Sequence, residues 1–229
     1  MKIFSARKPV WLFALIILAL AQSACNYATQ LMNGVPALQS GTPAPANCDN
    51  KYLLTKNGAT RIFVGKSGYT EQVTISQLKA NSFDEDWQTN PVDGKKSLFA
   101  YFWKCTTAGL VLTGSNNVTF SSITGVAVPV SIHVGDQWTN SYETATGTFT
   151  QNYTAIGEES VTVPAGSFTA MKIQISAVSQ QNSPGPFALK TDGFEWWAAG
   201  IGKVKSSLTY TTDKTTTQIN RELQSYSNP

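Results

Sequence analysis

The stretch from Val161 to Ile175, VTVPAGSFTAMKIQI, admits few folds. Val161 and Val163 alternate with Ser160 and Thr162, the period of a half-buried strand. Val163-Pro164-Ala165-Gly166 follows, with proline presetting φ at the second turn position and glycine suiting the fourth position of a type I turn. Beyond the turn, Thr169, Met171, Ile173 and Ile175 fall on one side, and Ala170, Lys172, Gln174 and Ser176 on the other. This is strand, tight turn, strand with one apolar face, and the first set is expected to be buried and the second wet.

The same grammar runs along the chain. Lys51–Lys56 and Ala59–Val64 flank Asn57-Gly58, and Phe187–Thr191 and Phe194–Ala198 flank Asp192-Gly193, both two-residue hairpin signals. Val73 and Ile75 mark a strand, and Leu98–Lys104 is apolar on both faces, as in a central, buried strand. Pro129 places Val126–Val134 at a sheet edge or a bulge. Further strands are expected at Trp138–Tyr142, Gly147–Ile156, Lys203–Tyr210 and Thr215–Ser225, and Gln77–Phe83 is the one stretch that reads as a short helix. Short strands joined by tight turns give an all-β, mainly antiparallel sheet in a single domain over residues 48–229.

The start of the chain has a different order. Lys2, Arg7 and Lys8 precede the unbroken apolar run Trp11–Leu20, and small residues follow. The run is too short to span a bilayer and fits a signal peptide over residues 1–24. All three of those cations fall before Cys25 and no acid does. The 17 Lys+Arg and 14 Asp+Glu of the whole chain therefore become 14 and 14 once the signal is removed. No basic run remains to support nucleic-acid binding.

An exported chain meets an oxidising compartment, where cysteines pair. The three here are Cys25, Cys48 and Cys105. Ser23-Ala24-Cys25 resembles the end of a bacterial lipobox, with Cys25 as the lipid-bearing residue, although Gln22 departs from that pattern; the alternative is ordinary cleavage after Ala19-Leu20-Ala21 and secretion. Lipidation of Cys25 leaves Cys48 and Cys105 to pair with each other. Residues 25–47 carry no charge and no apolar period, with Pro36, Pro43 and Pro45 spaced along them, and read as a flexible tether. Asn26 after the anchor resembles lipoproteins sent on to the outer membrane, where the domain would face the periplasm.

In the second half, three motifs recur in a known order: Val134–Trp138 (VGDQW), Val163–Phe168 (VPAGSF) and Trp196–Lys205 (WWAAGIGKVK), followed by Arg221-Glu222-Leu223. Over about residues 126–225 the chain resembles the DUF3108-like or TapB-like family of bacterial envelope proteins. The resemblance implies an exported β-rich protein, often a lipoprotein, without an assigned enzyme activity. It also implies a strongly curved sheet forming an open barrel or half-barrel, likened to those of lipoprotein carriers, and fold-level likeness warrants no function.

Candidate chemistry is sparse. His133 is the one histidine and sits at a strand end, and with both remaining cysteines paired no ordinary zinc or copper site can be built, so no catalytic residue, metal or cofactor is expected. Asp84, Glu85 and Asp86 precede Trp87 and could form half of a glycosidase pair, but three successive acids point different ways and read as a solvated loop. Adjacent Trp196 and Trp197 must face opposite sides of a strand, so one of them is exposed or lines a cavity. With Trp138 they form the candidate binding face, for an apolar ligand or an envelope protein partner. The function expected is a non-catalytic cell-envelope lipoprotein held to the membrane through its lipid. The alternatives are a structural or assembly protein of the cell surface and, behind it, an enzyme acting on envelope glycans. A cavity of about 300 Å³ or more against Trp196 or Trp197 favours binding, and a filled interior favours assembly.

Overall fold

Alternation of apolar and polar residues at period two, interrupted by Gly, Asn and Pro, builds strands and nothing else in the described part of the chain. The computed structural model describes residues 48–65, 68–90, 97–182 and 187–229. The signal peptide, Cys25 and the tether lie outside the described residues. In chain order the strands are β1 (Thr60–Gly65), β2 (Thr70–Lys79), β3 (Ser82–Asn90), β4 (Ser97–Cys105), β5 (Gly109–Ser115), β6 (Phe120–Gly125) and β7 (Val128–Pro129). They continue with β8 (Gln137–Thr144), β9 (Gly147–Val163), β10 (Gly166–Gln181), β11 (Phe187–Ala198), β12 (Gly202–Thr211) and β13 (Thr216–Ser227).

All belong to one antiparallel sheet in the order β6-β8-β9-β10-β11-β12-β13-β1-β2-β3-β4-β5-β7. The sheet curves into an open half-barrel. Its two ends do not form a ladder with each other; an isolated bridge between Gly114 and Thr119 is the pairing recorded where they approach. β7, with Pro129, is the terminal strand and pairs only with β5, the edge position that a residue lacking an N–H requires.

Bulges interrupt the ladders of the long strands. Ile156 in β9, Val204 in β12 and Gln224 in β13 are each skipped in the register with the neighbouring strand. An inserted residue bends its strand and reverses which residues face inward beyond it. The hairpin at Pro164 therefore does not have one apolar face. Before the bulge, Tyr153 and Ala155 lie with Ile175 and Ile173 on the inner face; after it, Val161 pairs with Phe168, on the side opposite Met171. Val161, Val163 and Ala170 then pack with Phe63, Val204 and Leu223 in a second core, and Ala165 N–H donates to the Leu223 carbonyl at 3.0 Å. So Met171, Ile173 and Ile175 are buried as expected, but Thr169 is exposed and Ala170 is buried, against the alternation expected from the sequence.

Four further expectations are corrected. Gln77–Phe83 is not a helix: β2 runs to Lys79, turns at Ala80-Asn81 and returns as β3, with Gln77 at φ +50° absorbing an irregular register. Asp192-Gly193 is not a turn but lies mid-strand in β11. A Cβ on Gly193 would sit 2.1 Å from the Ser207 carbonyl oxygen, so the glycine serves close strand approach. Leu98–Lys104 is not a centrally buried strand. It forms most of β4, near one end of the sheet, where Tyr101 and Trp103 turn inward while Leu98 is 68% exposed. Lys51–Lys56 is not a strand either. Asn50 Oδ1 accepts the Tyr52 N–H at 2.8 Å and Asn50 Nδ2 donates to the Pro129 carbonyl at 3.0 Å, folding the segment so that Tyr52, Leu53 and Leu54 plug the inside of the half-barrel. Cys48 and Cys105 are joined in a disulfide with Cα atoms 5.3 Å apart, tying this plug to the end of β4.

Candidate ligand cavity

Inside the half-barrel, between the plug and the strands, lies a cavity of about 240 Å³. That is somewhat below the volume set out above as favouring binding. The walls are aromatic: Trp87, Tyr101 and Trp103 from β3 and β4, Tyr142 and Tyr153 from β8 and β9, and Trp197 from β11. Trp138 stacks on Tyr153 with centroids 4.9 Å apart and leans on Trp197 at 6.2 Å, so it braces the wall from behind. Its indole N–H reaches the Ala127 carbonyl at 3.4 Å.

Four charged side chains line the same cavity. Arg61 is paired with Glu85, and both are almost fully buried. Glu85 Oε2 also accepts the Trp87 indole N–H at 3.3 Å. Across the sheet, Lys203 is paired with Glu195, whose Oε2 accepts the Trp197 indole N–H at 2.9 Å. Each carboxylate is thus matched by one cation and one indole, as a buried charge must be. The electrostatics of the walls follow. Burial pushes the Tyr153 hydroxyl far above the usual phenol range, with the Glu195 charge adding to it. Burial and then Glu85 raise Tyr101, and burial and then Tyr101 push Tyr142 up to about 12. All three phenols stay protonated at neutral pH and remain available as neutral donors.

Three polar atoms of the lining residues find no hydrogen-bond partner among the described residues: Tyr52 Oη, Trp103 Nε1 and Asn140 Oδ1. Asn140 is 2% exposed and Tyr52 is 3% exposed. Buried polar groups are nearly always paired, so three orphans at one cavity form a concentration that calls for a cause.

The residues singled out from the sequence divide between the two cores. Trp138 and Trp197 come together at the cavity, whereas Trp196 points to the opposite face. There Lys172 and Lys205 lie over its ring at 5.3 and 5.6 Å, its indole N–H donates to Glu159 at 2.6 Å, and Lys172 pairs with Glu159 at 3.7 Å. Both neighbouring tryptophans are therefore buried, one by the cavity walls and one beneath lysine stems. In the acidic run only Glu85 turns inward, with Asp84 and Asp86 on the wet side. His133 is exposed and its ring nitrogen lies 3.3 Å from Asp136, outside the cavity. Among the described residues no group of His, Cys, Asp and Glu is placed to hold a metal, and no helix is long and apolar enough to cross a membrane.

The charges of the cavity are what the sequence reading missed. A signal was there: Glu85 sits in phase with Phe83 and Trp87, Arg61 with Phe63, and Glu195 with Trp197. A charge on the apolar phase of a strand points into the core.

The DUF3108-like family model matches residues 137–226, which is the part of the chain where the resemblance lies. Two solved structures are similar in fold. One is a candidate lipoprotein from Parabacteroides distasonis, 14% identical, covering 78% of this chain and 100% of its own, with a TM-score of 0.48. The other is a candidate exported protein with a YmcC-like fold from Bacteroides fragilis, also 14% identical, with the same coverage and a TM-score of 0.49. No curated protein matches the chain.

Proposed function

We propose that this chain, DUF3108-like over residues 137–226, is a non-catalytic binding protein of the cell envelope that holds a small ligand inside its half-barrel. The observation that carries the reading is the aromatic-walled cavity of about 240 Å³ against Trp197. Pockets for drug-sized ligands run to roughly 300–1,000 Å³, so this one suits a ligand smaller than those. Because Glu85 and Glu195 are each committed to a cation and an indole, neither stands free as an acid or base, which speaks against the glycan-acting enzyme.

Export and anchoring belong to the same proposal. The order of charge, apolar run and small residues before Cys25 supports export. The pairing of Cys48 with Cys105 leaves Cys25 free to carry lipid, and the membrane is then the first partner. Placement at the outer membrane, facing the periplasm, rests on Asn26 alone. Fractionation tests the anchor: the parent should partition with membranes and Cys25→Ser should be soluble, and equal partitioning with a mature chain beginning elsewhere refutes it.

The assembly reading has one observation of its own. Leu98 and Phe102 are exposed in phase on β4, on the side opposite Tyr101 and Trp103, and leave apolar side chains on the outside of the sheet. Native mass spectrometry of the full chain purified from its own host separates the two readings. A small bound molecule that is lost when Leu112→Trp fills the cavity supports the binding protein. An empty cavity with a stoichiometric protein partner supports assembly.

A further inference from the structure

The cavity's unpaired atoms say more than that something small fits. Every charge in the lining is matched from within the protein: Glu85 by Arg61 and Glu195 by Lys203. A charged ligand would arrive without a counter-ion and would have to break one of these pairs. A hydrocarbon chain would leave Tyr52 Oη, Trp103 Nε1 and Asn140 Oδ1 unpaired and dry, the costly state for a polar group. Trp103 Nε1 can only donate, the Asn140 oxygen can only accept, and the Tyr52 hydroxyl does either. The occupant therefore offers both acceptors and donors, from different directions, and presents apolar faces to the rings between them.

We infer that the cavity binds an uncharged, polyhydroxylated ring of about monosaccharide size, with the orphaned groups of Tyr52, Trp103 and Asn140 hydrogen-bonding its hydroxyls and the aromatic walls covering its C–H faces. The inference rests on the binding reading above and gives its ligand class. The ligand is either a free sugar or the end unit of a glycan, since the hydroxylated ring is common to both.

The same chemistry has a consequence for stability. An orphaned buried group is a burden to the empty fold, and replacing it by an apolar group of similar shape is close to neutral or stabilising. Tyr52→Phe and Asn140→Leu should therefore leave the denaturation midpoint unchanged or raise it, while each weakens the sugar by about fivefold to a hundredfold. A merely structural role gives the opposite pattern, with lower midpoints and unchanged affinity.

The experiment is titration of the full chain in detergent, followed by tryptophan fluorescence, since Trp87, Trp103 and Trp197 report on the cavity. The probes are glucose, galactose and N-acetylglucosamine, their methyl glycosides, glucuronate and laurate. Saturable binding of a neutral sugar, lost in Asn140→Leu at an undiminished midpoint, is the expected result. Binding of the methyl glycoside as tightly as the free sugar points to a glycan end, and weaker binding of it to the free sugar. Preference for laurate or glucuronate overturns the ligand class and leaves the binding reading intact. Binding of none of the probes, or lowered midpoints in both variants with affinity unchanged, overturns the inference; the first of these, together with an empty cavity in native mass spectrometry, overturns the binding reading as well.

Discussion

The two hydrophobic clusters of this sheet are built from the same residue types, yet they are finished differently. The outer one, around Val204, Leu223 and Trp196, is closed: the hairpin at Pro164 folds onto it, and the Trp196 ring and indole N–H are covered by Lys172, Lys205 and Glu159. The inner one, around Ile173, Tyr153 and Trp197, borders a void that Phe63 of the outer cluster also touches. It keeps three orphaned polar atoms, the buried pair Arg61–Glu85 and the half-buried pair Lys203–Glu195. A core built for stability alone has no use for either feature, because voids and unpaired groups both cost free energy. The difference separates the half of the molecule that holds the fold from the half that the fold holds open.

The largest effect should come from taking atoms out of the closed cluster. Leu223 is 0% exposed, and Leu223→Ala should cost about 3–5 kcal/mol, transfer and cavity terms together. Leu112 stands on the cavity wall, where a void already exists, and Leu112→Ala should cost about half as much. Denaturant melts of the pair test the contrast, and equal costs would mean that the inner cluster is packed as tightly as the outer one.

Opening the disulfide comes next. It closes a sequence separation of 57 residues, worth about 4 kcal/mol by loop entropy and commonly less in practice. Cys48→Ala with Cys105→Ala should loosen the Tyr52–Leu54 plug, so the loss in midpoint should be joined by weaker ligand retention. Unchanged retention would show that the plug is held by Asn50 and by burial alone.

Gly166→Ala should be smaller, about 1–3 kcal/mol, because Gly166 sits at φ +132°, where a side chain is strained whatever the space around it. The loss should fall on the outer cluster and leave ligand affinity unchanged.

The smallest effect is alkaline. Tyr142 is raised to about 12 from an ordinary value of 10, so the folded form holds its proton where the unfolded form has released it. Its contribution is full below pH 10 and is lost as pH climbs towards 12. Stability measured across this window should decline, and Tyr142→Phe should flatten the decline. An unaltered slope would place the titrating group elsewhere, with Tyr101 and Tyr153 on the same wall as the next variants to make.

Much of this architecture was readable in the residues. Strand class came from period-two alternation, the hairpin from Val163-Pro164-Ala165-Gly166, and the edge from Pro129. The bulges were not readable, because an inserted residue such as Ile156 looks like any other strand residue until its partner strand is known. That single unseen residue put Tyr153 and Ala155 on the face opposite Val161 and Val163, so one strand feeds two cores where one was expected. Asp192-Gly193 misled for a related reason, since glycine marks both turns and close strand approaches, and only the neighbouring Ser207 decides between them. Of the candidate site, the tryptophans were visible as a pair on opposite faces, but which of them met a void depended on long-range pairing. The buried glutamates were passed over because acids were weighed by type rather than by their phase in the strand.

The bond between Cys48 and Cys105 also decides how the domain answers a pull. Tension applied from the N-terminal side enters the described fold at Cys48 and crosses the disulfide directly to Cys105 at the end of β4. Strands β1 to β4 lie inside the closed loop and outside the path of the force. Their 57-residue span, roughly 190 Å of extended chain, cannot be drawn out while the bond is intact. A domain hung from its N-terminus in this way would take the load at the end of β4, near one end of the sheet, with β1 to β3 shielded inside the loop.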